Sequence, residues 1–143
     1  MLSDTEIKKL IRYCNIIGKP LIEPYSEEKL GPCSYDLRTR LIKEDEESLY
    51  LVTEETINMP REYLGIVCLR SNASKRISPI IASYSQLVDP GYSGKLIFRI
   101  VKLKYPIGNL EDLFQILFLR IYGDVGVAYN ERSKSTAMGR QGF

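Results

Sequence analysis

The sequence contains no histidine among its 143 residues. This absence excludes a catalytic triad built on histidine, and it excludes a zinc site with histidine ligands. Any catalysis therefore has to use carboxylates, arginine, lysine, serine, tyrosine or backbone N–H groups. A metal ion, if the chemistry needs one, is expected to arrive with the substrate.

Cysteine is also scarce, and Cys14, Cys33 and Cys68 lie far apart in the sequence. An odd number of separated cysteines makes a poor zinc site and favours a reducing compartment over a disulfide framework. The chain has no apolar run long enough to cross a bilayer, and its N-terminus lacks a signal-peptide pattern. These absences predict a cytoplasmic protein without a membrane partner.

An excess of one charge is absent as well, because 20 Lys and Arg stand against 18 Asp and Glu, a net charge of +2. This balance predicts no nucleic-acid partner. The length fits one domain, and the hydrophobic content of 44% and charged content of 27% are typical of globular proteins. We therefore predict a single domain over residues 1–143.

A helix is predicted within residues 1–20. Ser3 and Glu6 have the spacing of a capping box, Leu2 and Ile7 have that of a hydrophobic staple, and Gly18 marks the end. The apolar face consists of Ile7, Leu10 and Ile11. Its expected role is structural.

Short strands are predicted after the helix, since apolar or alternating runs follow one another between Gly, Pro, Asn and Asp turns. The predicted strands are Tyr35–Ile42, Ser48–Val52, Thr56–Met59, Tyr63–Leu69, Ile77–Tyr84, Lys95–Tyr105 and Leu113–Tyr122. Many short strands after one helix are typical of an all-β barrel or jelly roll.

The segment Val88–Gly94 predicts a β-hairpin, because Pro90 and Gly91 supply the backbone angles of a tight turn between two apolar runs. Asp89 ends one strand, and Tyr92 lies at the tip. A carboxylate held by a rigid turn beside an aromatic ring can activate water against a flat ligand. In the alternative interpretation, Asp89 caps its own turn and Tyr92 covers an edge of the core.

The strand Leu113–Leu119 is apolar on both faces except for Gln115. A buried amide needs hydrogen-bond partners, which are either neighbouring backbone groups or a ligand. From Gly123 onwards the chain is polar, glycine-bearing and mildly basic, and we predict a flexible C-terminal arm over residues 123–143.

Four further stretches join the hairpin in one ordered pattern: Cys33–Arg38, Leu69–Ala73, Asp112–Ile116 and Ala137–Phe143. In this order they resemble the motifs of the trimeric dUTPase and dCTP deaminase superfamily. The resemblance spans nearly the whole chain, and it implies a dUTPase-like jelly roll, a distorted β-barrel, assembled as a homotrimer with active sites between subunits.

The resemblance also implies roles for single residues. Asp89 would be the base that activates water, and Gln115 would lie near the α-phosphate or the attacking water. Tyr92 would stack beneath the deoxyribose. Phosphates would be held by Arg70, Ser71 and the backbone of Asn72. Asp36 would orient waters around a Mg²⁺ ion carried by the triphosphate, which agrees with the way Mg²⁺ binds through phosphates and water.

Arg99 bears on the branch of the superfamily. A deaminase would need a glutamate ten residues after Asp89, and that position is Arg99, whose guanidinium cannot shuttle protons. We therefore predict the dUTPase branch, with hydrolysis of dUTP to dUMP and pyrophosphate. A dCTP deaminase or bifunctional enzyme is the first alternative. A non-catalytic nucleotide-binding regulatory homologue is the second, since Ser83 replaces the asparagine that reads uracil in many dUTPases.

The arm would close over the nucleotide. Arg132, Lys134 or Arg140 would meet phosphate oxygens, and Phe143 would lie against the base. We predict that residues from about Ala128 onwards are mobile without ligand, because Gly, Ser and Lys dominate there.

Overall fold

The computed structural model describes residues 1–71, 85–101 and 110–132, and it begins with helix α1, Asp4–Ile16. The Ser3 hydroxyl accepts a hydrogen bond from the Glu6 backbone N–H at 3.3 Å, which confirms the predicted N-cap. The Glu6 carboxylate pairs with Lys9 Nζ at 3.2 Å. The helix ends two residues before Gly18, which has a φ of +82°.

Helix α1 packs on the β-structure through one apolar face. Its buried residues are Ile7, Leu10, Ile11 and Cys14. The Leu2 backbone N–H donates to the Phe118 carbonyl at 2.8 Å, and the Asp4 backbone N–H donates to the Pro32 carbonyl at 2.7 Å. The helix is therefore tied to the core at its first turn, as expected of a structural element.

The strands form two antiparallel sheets. In chain order they are β1 Ile22–Glu23, β2 Tyr35–Leu37, β3 Thr39–Glu44, β4 Ser48–Asn58, β5 Tyr63–Leu69, β6 Ser85–Val88, β7 Ser93–Val101 and β8 Phe114–Arg120. In the first sheet, β4 pairs with β7 along one edge and with β3 and β1 along the other. The second sheet has the order β2-β8-β5-β6. The predicted all-β class is confirmed.

The core lies between the two sheets. The Phe98 ring from β7 and the Phe114 ring from β8 meet with centroids 4.4 Å apart, and both side chains are fully buried. Strands β5, β7 and β8 bury alternate residues over most of their length, as expected of strands that face a core with one side.

Two predicted strand boundaries are wrong. The single predicted strand Tyr35–Ile42 is divided at Arg38, because β2 pairs in the second sheet and β3 in the first. The two predicted strands Ser48–Val52 and Thr56–Met59 are one strand, β4, with a shift of register against β7 between Val52 and Thr56. The predicted strand Ile77–Tyr84 lies outside the described residues.

No helix in the described part of the chain combines the length and apolar character required to span a membrane.

Candidate functional site

The turn that carries Asp89 is built by the backbone. The Tyr92 N–H donates to the Asp89 carbonyl at 3.1 Å, and Gly91 has a φ of +83°, which an L-residue with a side chain rarely adopts. Gly91 N–H donates to the Met59 carbonyl at 2.9 Å, and Met59 N–H donates to the Tyr92 carbonyl at 2.8 Å. The predicted turn is confirmed, and it is tied to the end of β4. The predicted β-hairpin is wrong, because β6 pairs with β5 in the second sheet whereas β7 pairs with β4 in the first, so the turn joins the two sheets.

The Asp89 side chain is exposed, and no hydrogen bond or ion pair joins it to the described residues. The alternative in which the Asp89 carboxylate caps its own turn therefore finds no support in the part of the chain that is described. The carboxylate stands at a fixed point of the backbone and faces solvent.

Tyr92 is half-buried and packs against the core. Its hydroxyl donates to the Lys95 carbonyl at 2.6 Å, and its ring meets the Tyr129 ring edge-on with centroids 5.5 Å apart. Burial is the main cause that raises the pKa of the Tyr92 phenol well above its ordinary value. Tyr92 thus covers an edge of the core, as the second interpretation of the hairpin predicted.

The segment after Gly123 is partly docked on this turn. Tyr129 N–H donates to the Pro90 carbonyl at 2.8 Å, and Ala128 is buried, with 2% of its surface exposed. Residues Tyr129–Glu131 form a short 3₁₀ helix. Residues 128–132 therefore have a docked position, because the backbone of this segment has a partner on the turn. Mobility of the arm from about Ala128 without ligand stays a prediction.

A second group of predicted residues surrounds Arg70. Arg70 Nη2 lies 3.3 Å from Asp36 Oδ2, and Arg70 Nη1 lies 3.7 Å from Asp112 Oδ1. Lys29 Nζ lies 3.8 Å from the same Asp112 oxygen. Burial, the largest cause, raises the pKa of Asp36 above its ordinary value even though the nearby Arg70 opposes it. Ser71 follows and is exposed.

Gln115 is hydrogen-bonded within the protein. Its Oε1 accepts from the Ser34 hydroxyl at 2.9 Å, and its Nε2 donates to the Leu69 carbonyl at 3.3 Å. Gln115 also lies opposite Asp36 in the β2–β8 ladder and opposite Cys68 in the β5–β8 ladder. The structure therefore assigns partners to this amide inside the fold and places it beside the Arg70 group.

The two groups lie at opposite ends of β5. Val88, next to Asp89, pairs with Gly65, whereas Arg70 follows the last residue of β5. Five residue steps of about 3.3 Å put them about 17 Å apart along the strand. One chain therefore brings Asp36, Arg70 and Gln115 together, and keeps Asp89 and Tyr92 away from them.

The remaining predicted residues give a mixed result. Arg99 is exposed on β7, and its Nε donates to the Ser48 hydroxyl at 2.7 Å. The predicted substrate contacts Asn72, Ser83, Lys134, Arg140 and Phe143 lie outside the described residues. Within the described ranges, no group of carboxylates and cysteines is arranged to hold a metal ion.

Sequence reasoning missed three contributors: Lys29, Ser34 and Asp112. Ser34 and Asp112 stand inside stretches that were already singled out, and a tally of polar residues next to Asp36 and Gln115 would have found them. Lys29 carries no local signal, since it reaches the site only through the fold.

Similarity to curated proteins decides the family. Over 147 aligned residues the chain is 31% identical to a dCTP deaminase of Pyrococcus furiosus, covering 86% of this chain and 84% of the relative. The chain belongs to the dCTP deaminase family. It is also 30% identical to a dCTP deaminase of Thermococcus kodakarensis, covering 99% of this chain and 98% of the relative. A dUMP-forming dCTP deaminase of Methanopyrus kandleri is 27% identical over 93% of this chain and 88% of the relative.

A solved structure of the family shares the fold. The crystal structure of 2'-deoxycytidine 5'-triphosphate deaminase from Agrobacterium tumefaciens matches 82% of this chain and 46% of that chain with a TM-score of 0.50 and 14% identity. A comparison with models of known protein families finds no match. The predicted superfamily and jelly-roll fold are thus confirmed at the level of the fold and the family.

The predicted function, hydrolysis of dUTP, is contradicted by these relatives, which are named dCTP deaminases. The prediction let one position, Arg99, choose between branches of the superfamily. A single replaced side chain changes the chemistry available at one point, whereas the similarity to dCTP deaminases extends over most of the chain.

Proposed function

We propose that this protein binds dCTP with Mg²⁺ and removes the 4-amino group of the cytosine by hydrolysis, in sites shared between the subunits of a homotrimer. The observation that carries the proposal is the similarity to dCTP deaminases over 86% of the chain. The reaction adds water at C4 and releases ammonia, which leaves a 4-oxo pyrimidine. A proton must therefore pass from the water to the departing nitrogen.

We assign the transfer of this proton to Asp89. It is an exposed carboxylate on a turn fixed by four backbone hydrogen bonds, so it can meet a substrate without rearrangement of the backbone. Tyr92 supplies the half-buried aromatic surface beside it.

Arg70 and Ser71 are the residues that we assign to the phosphates, since a guanidinium beside a hydroxyl suits phosphate oxygens. The Arg70 group holds two cations, Lys29 and Arg70, and two carboxylates, Asp36 and Asp112, so its own charge sums to zero. Because the group has no net charge, binding of a triphosphate requires positive charge from another source. This supports Mg²⁺ that arrives on the nucleotide, since such an ion is held mostly by phosphates and water.

The shared site is supported by the separation of the two groups along β5 and by the outer face of the second sheet. That face carries apolar side chains on three neighbouring strands: Leu64, Ile66, Leu87, Leu117 and Leu119. Leu87 is 63% exposed. A sheet with apolar residues on both faces is expected to be covered on both. We propose that a homotrimer buries this face and thereby brings the Arg70 group of one subunit near the Asp89 turn of another.

A second candidate function is favoured by Arg99. A guanidinium keeps its proton throughout the accessible pH range, so it cannot exchange protons with the cytosine ring or its amino group. Arg99 also extends from the solvent side of β7 toward Ser48. This observation favours a homologue that binds dCTP without deaminating it.

The deciding experiment supplies Mg²⁺ and dCTP to the purified protein and measures ammonia by a coupled assay, the nucleotide product by chromatography, and binding by calorimetry. We expect ammonia in proportion to the nucleotide converted. Asp89→Asn should keep dCTP binding and lower turnover by about 100-fold or more. Asp124→Asn, at another exposed aspartate, is the matched control and should turn over normally.

Binding without ammonia release would support the second candidate, and Arg99→Glu should then produce measurable deamination. Absence of dCTP binding would defeat both. Sedimentation that shows only a monomer at micromolar concentration would defeat the shared site.

A further inference from the structure

We infer that Arg61 is a positioning residue for the Asp89 turn: it holds residues 125–132, here named the arm root, against the turn and thereby fixes the backbone that carries Asp89. The inference rests on the function proposed above for Asp89. Arg61 lies in the connection between β4 and β5, outside the sequence motifs that carry the family resemblance.

Arg61 joins the arm root by three contacts. Its Nη2 donates to the Val125 carbonyl at 2.6 Å and to the Gly126 carbonyl at 3.0 Å. Its Nη1 forms an ion pair with Glu131. A guanidinium can make such contacts together because its donors are fixed in one plane. Arg61 thus binds both ends of the arm root.

Glu131 links Arg61 to the middle of the arm root. The oxygen that pairs with Arg61 also accepts the Ala128 N–H at 3.1 Å, which fixes the start of the short 3₁₀ helix Tyr129–Glu131. Ala128 is 2% exposed, so this segment is seated in the protein surface. The position of the 3₁₀ helix therefore depends on the Arg61–Glu131 pair.

The 3₁₀ helix contacts the turn that carries Asp89. Tyr129 N–H donates to the Pro90 carbonyl at 2.8 Å. A Cβ atom on Gly91 would lie 2.3 Å from Asn130 Oδ1 and 3.0 Å from the Ala128 Cβ, so a side chain at Gly91 would press on side chains of the arm root. Met59 binds the other side of the turn and stands two residues before Arg61. The contacts form a closed ring through residues 59–61, the arm root and the turn.

This ring matters for Asp89 because no hydrogen bond or ion pair holds its side chain among the described residues. The carboxylate is placed by backbone alone, and the backbone on its far side is held by the arm root. The phosphate-binding group lies about 17 Å away along β5 and has no part in the ring. Loss of Arg61 should therefore affect the chemical step more than substrate affinity.

The test compares Arg61→Ala, Arg61→Lys and the control Arg40→Ala, which breaks an exposed ion pair of β3 with Glu54 at 3.3 Å. Two quantities are measured: kcat and KM for ammonia release from dCTP, and hydrogen exchange of peptides that cover residues 88–93 and 125–132. For Arg61→Ala we expect kcat to fall about 10- to 100-fold, KM to stay within about twofold, and both peptides to exchange faster. Arg61→Lys should recover part of kcat, and Arg40→Ala should match the wild type.

The two readouts separate this inference from the proposed function. A wild type that releases no ammonia overturns the proposed function, while faster exchange at both peptides in Arg61→Ala still supports the ring. Unchanged exchange in both peptides overturns the inference, and so does faster exchange with wild-type kcat. If Arg61→Ala does not fold, Glu131→Gln replaces it, since this change removes the ion pair and leaves the two carbonyl contacts of Arg61. It should shift both readouts in the same direction by a smaller amount, and no shift would count against the ring.

Discussion

Arg38 donates two hydrogen bonds to the fully buried carboxylate of Glu55, one from its backbone N–H at 2.8 Å and one from Nε at 2.9 Å. The pair lies where the chain leaves β2 in one sheet and enters β3 in the other. Thr53 adds a bond from its hydroxyl to the Glu55 carbonyl at 2.7 Å. A buried carboxylate thus fixes the bend that joins the two sheets.

Replacement of Glu55 should therefore be costly. Glu55→Gln presents an amide N–H₂ to donors of Arg38 and leaves one of them unpaired, so we expect the free energy of unfolding to fall by about 2–4 kcal/mol. Chemical denaturation measures this. Glu54→Gln makes the same change one residue away, in an exposed pair with Arg40, and should cost less than about 1 kcal/mol. Equal costs for the two variants would contradict the role of Glu55.

Gly91 should tolerate no side chain. Gly91→Ala adds a Cβ atom at 2.3 Å from Asn130 Oδ1 and forces alanine into a positive φ. Gly123→Ala is the matched control, because Gly123 has a φ of +86° with no atom within 4 Å of the added Cβ. The control should lose about 1–2 kcal/mol of stability from the backbone alone. Gly91→Ala should lose more and should also lower turnover of dCTP. Identical stabilities of Gly91→Ala and Gly123→Ala would show that the arm root moves aside without a cost in stability.

The Gln115 amide should contribute to stability through Ser34. Gln115→Met keeps the volume and removes the hydrogen bonds of the amide to Ser34, Leu69 and Cys68, and Ser34→Ala removes the first of them. In a double-mutant cycle we expect a coupling energy of about 1 kcal/mol between the two positions. Additive costs would mean that the bond between these side chains adds no stability.

Asp36 should make folding stability depend on pH. Burial raises its pKa above the ordinary value near 3.8, so the folded state favours the protonated acid. The stability that this provides is present below the ordinary pKa and is lost as pH rises through the raised pKa of the folded state. Asp36→Asn cannot ionise and should gain stability relative to the wild type between about pH 4 and pH 7. If Asp36→Asn instead loses stability over this range, the ion pair with Arg70 outweighs burial.

The position of a C-terminal truncation should decide its effect. A chain that ends at Arg132 keeps the Arg61–Glu131 pair, whereas a chain that ends at Asn130 loses it. We expect both to lower turnover of dCTP if residues 133–143 act on the bound nucleotide, as the family resemblance implies. Only the shorter chain should also speed hydrogen exchange at residues 88–93. Full turnover by the chain that ends at Arg132 would show that residues 133–143 have no role in the reaction.

Local signals predicted much of the fold. The cap at Ser3, the turn at Pro90-Gly91 and the alternation in β7 each depend on a few neighbouring residues, and each is found in the structure. The break at Arg38 was not predictable from local signals, because Arg38 is bonded there to Glu55. Its buried contact with Arg38 links residues 17 positions apart. An acidic residue in a strand gives no hint of such a partner.

The site was predictable in part for a related reason. Asp36, Arg70 and Gln115 come from three strands that the ladders place side by side, and their motifs pointed to one function. That Asp89 stands at the far end of β5 follows only from the pairing of β5 with β6. The predicted hydrolysis of dUTP was wrong because the residue at one position, Arg99, says less about function than the similarity of most of the chain to dCTP deaminases.

The position of β8 has a consequence for biosynthesis. It is the last strand of the described chain, yet it lies between β2 and β5 in the second sheet. On the ribosome, β2 and the outer edge of β5 remain without their neighbour until residue 120 has been synthesised. The second sheet therefore closes only after residue 120 has been synthesised. A nascent chain that stops before Phe114 exposes two unpaired strand edges, which are sites of aggregation.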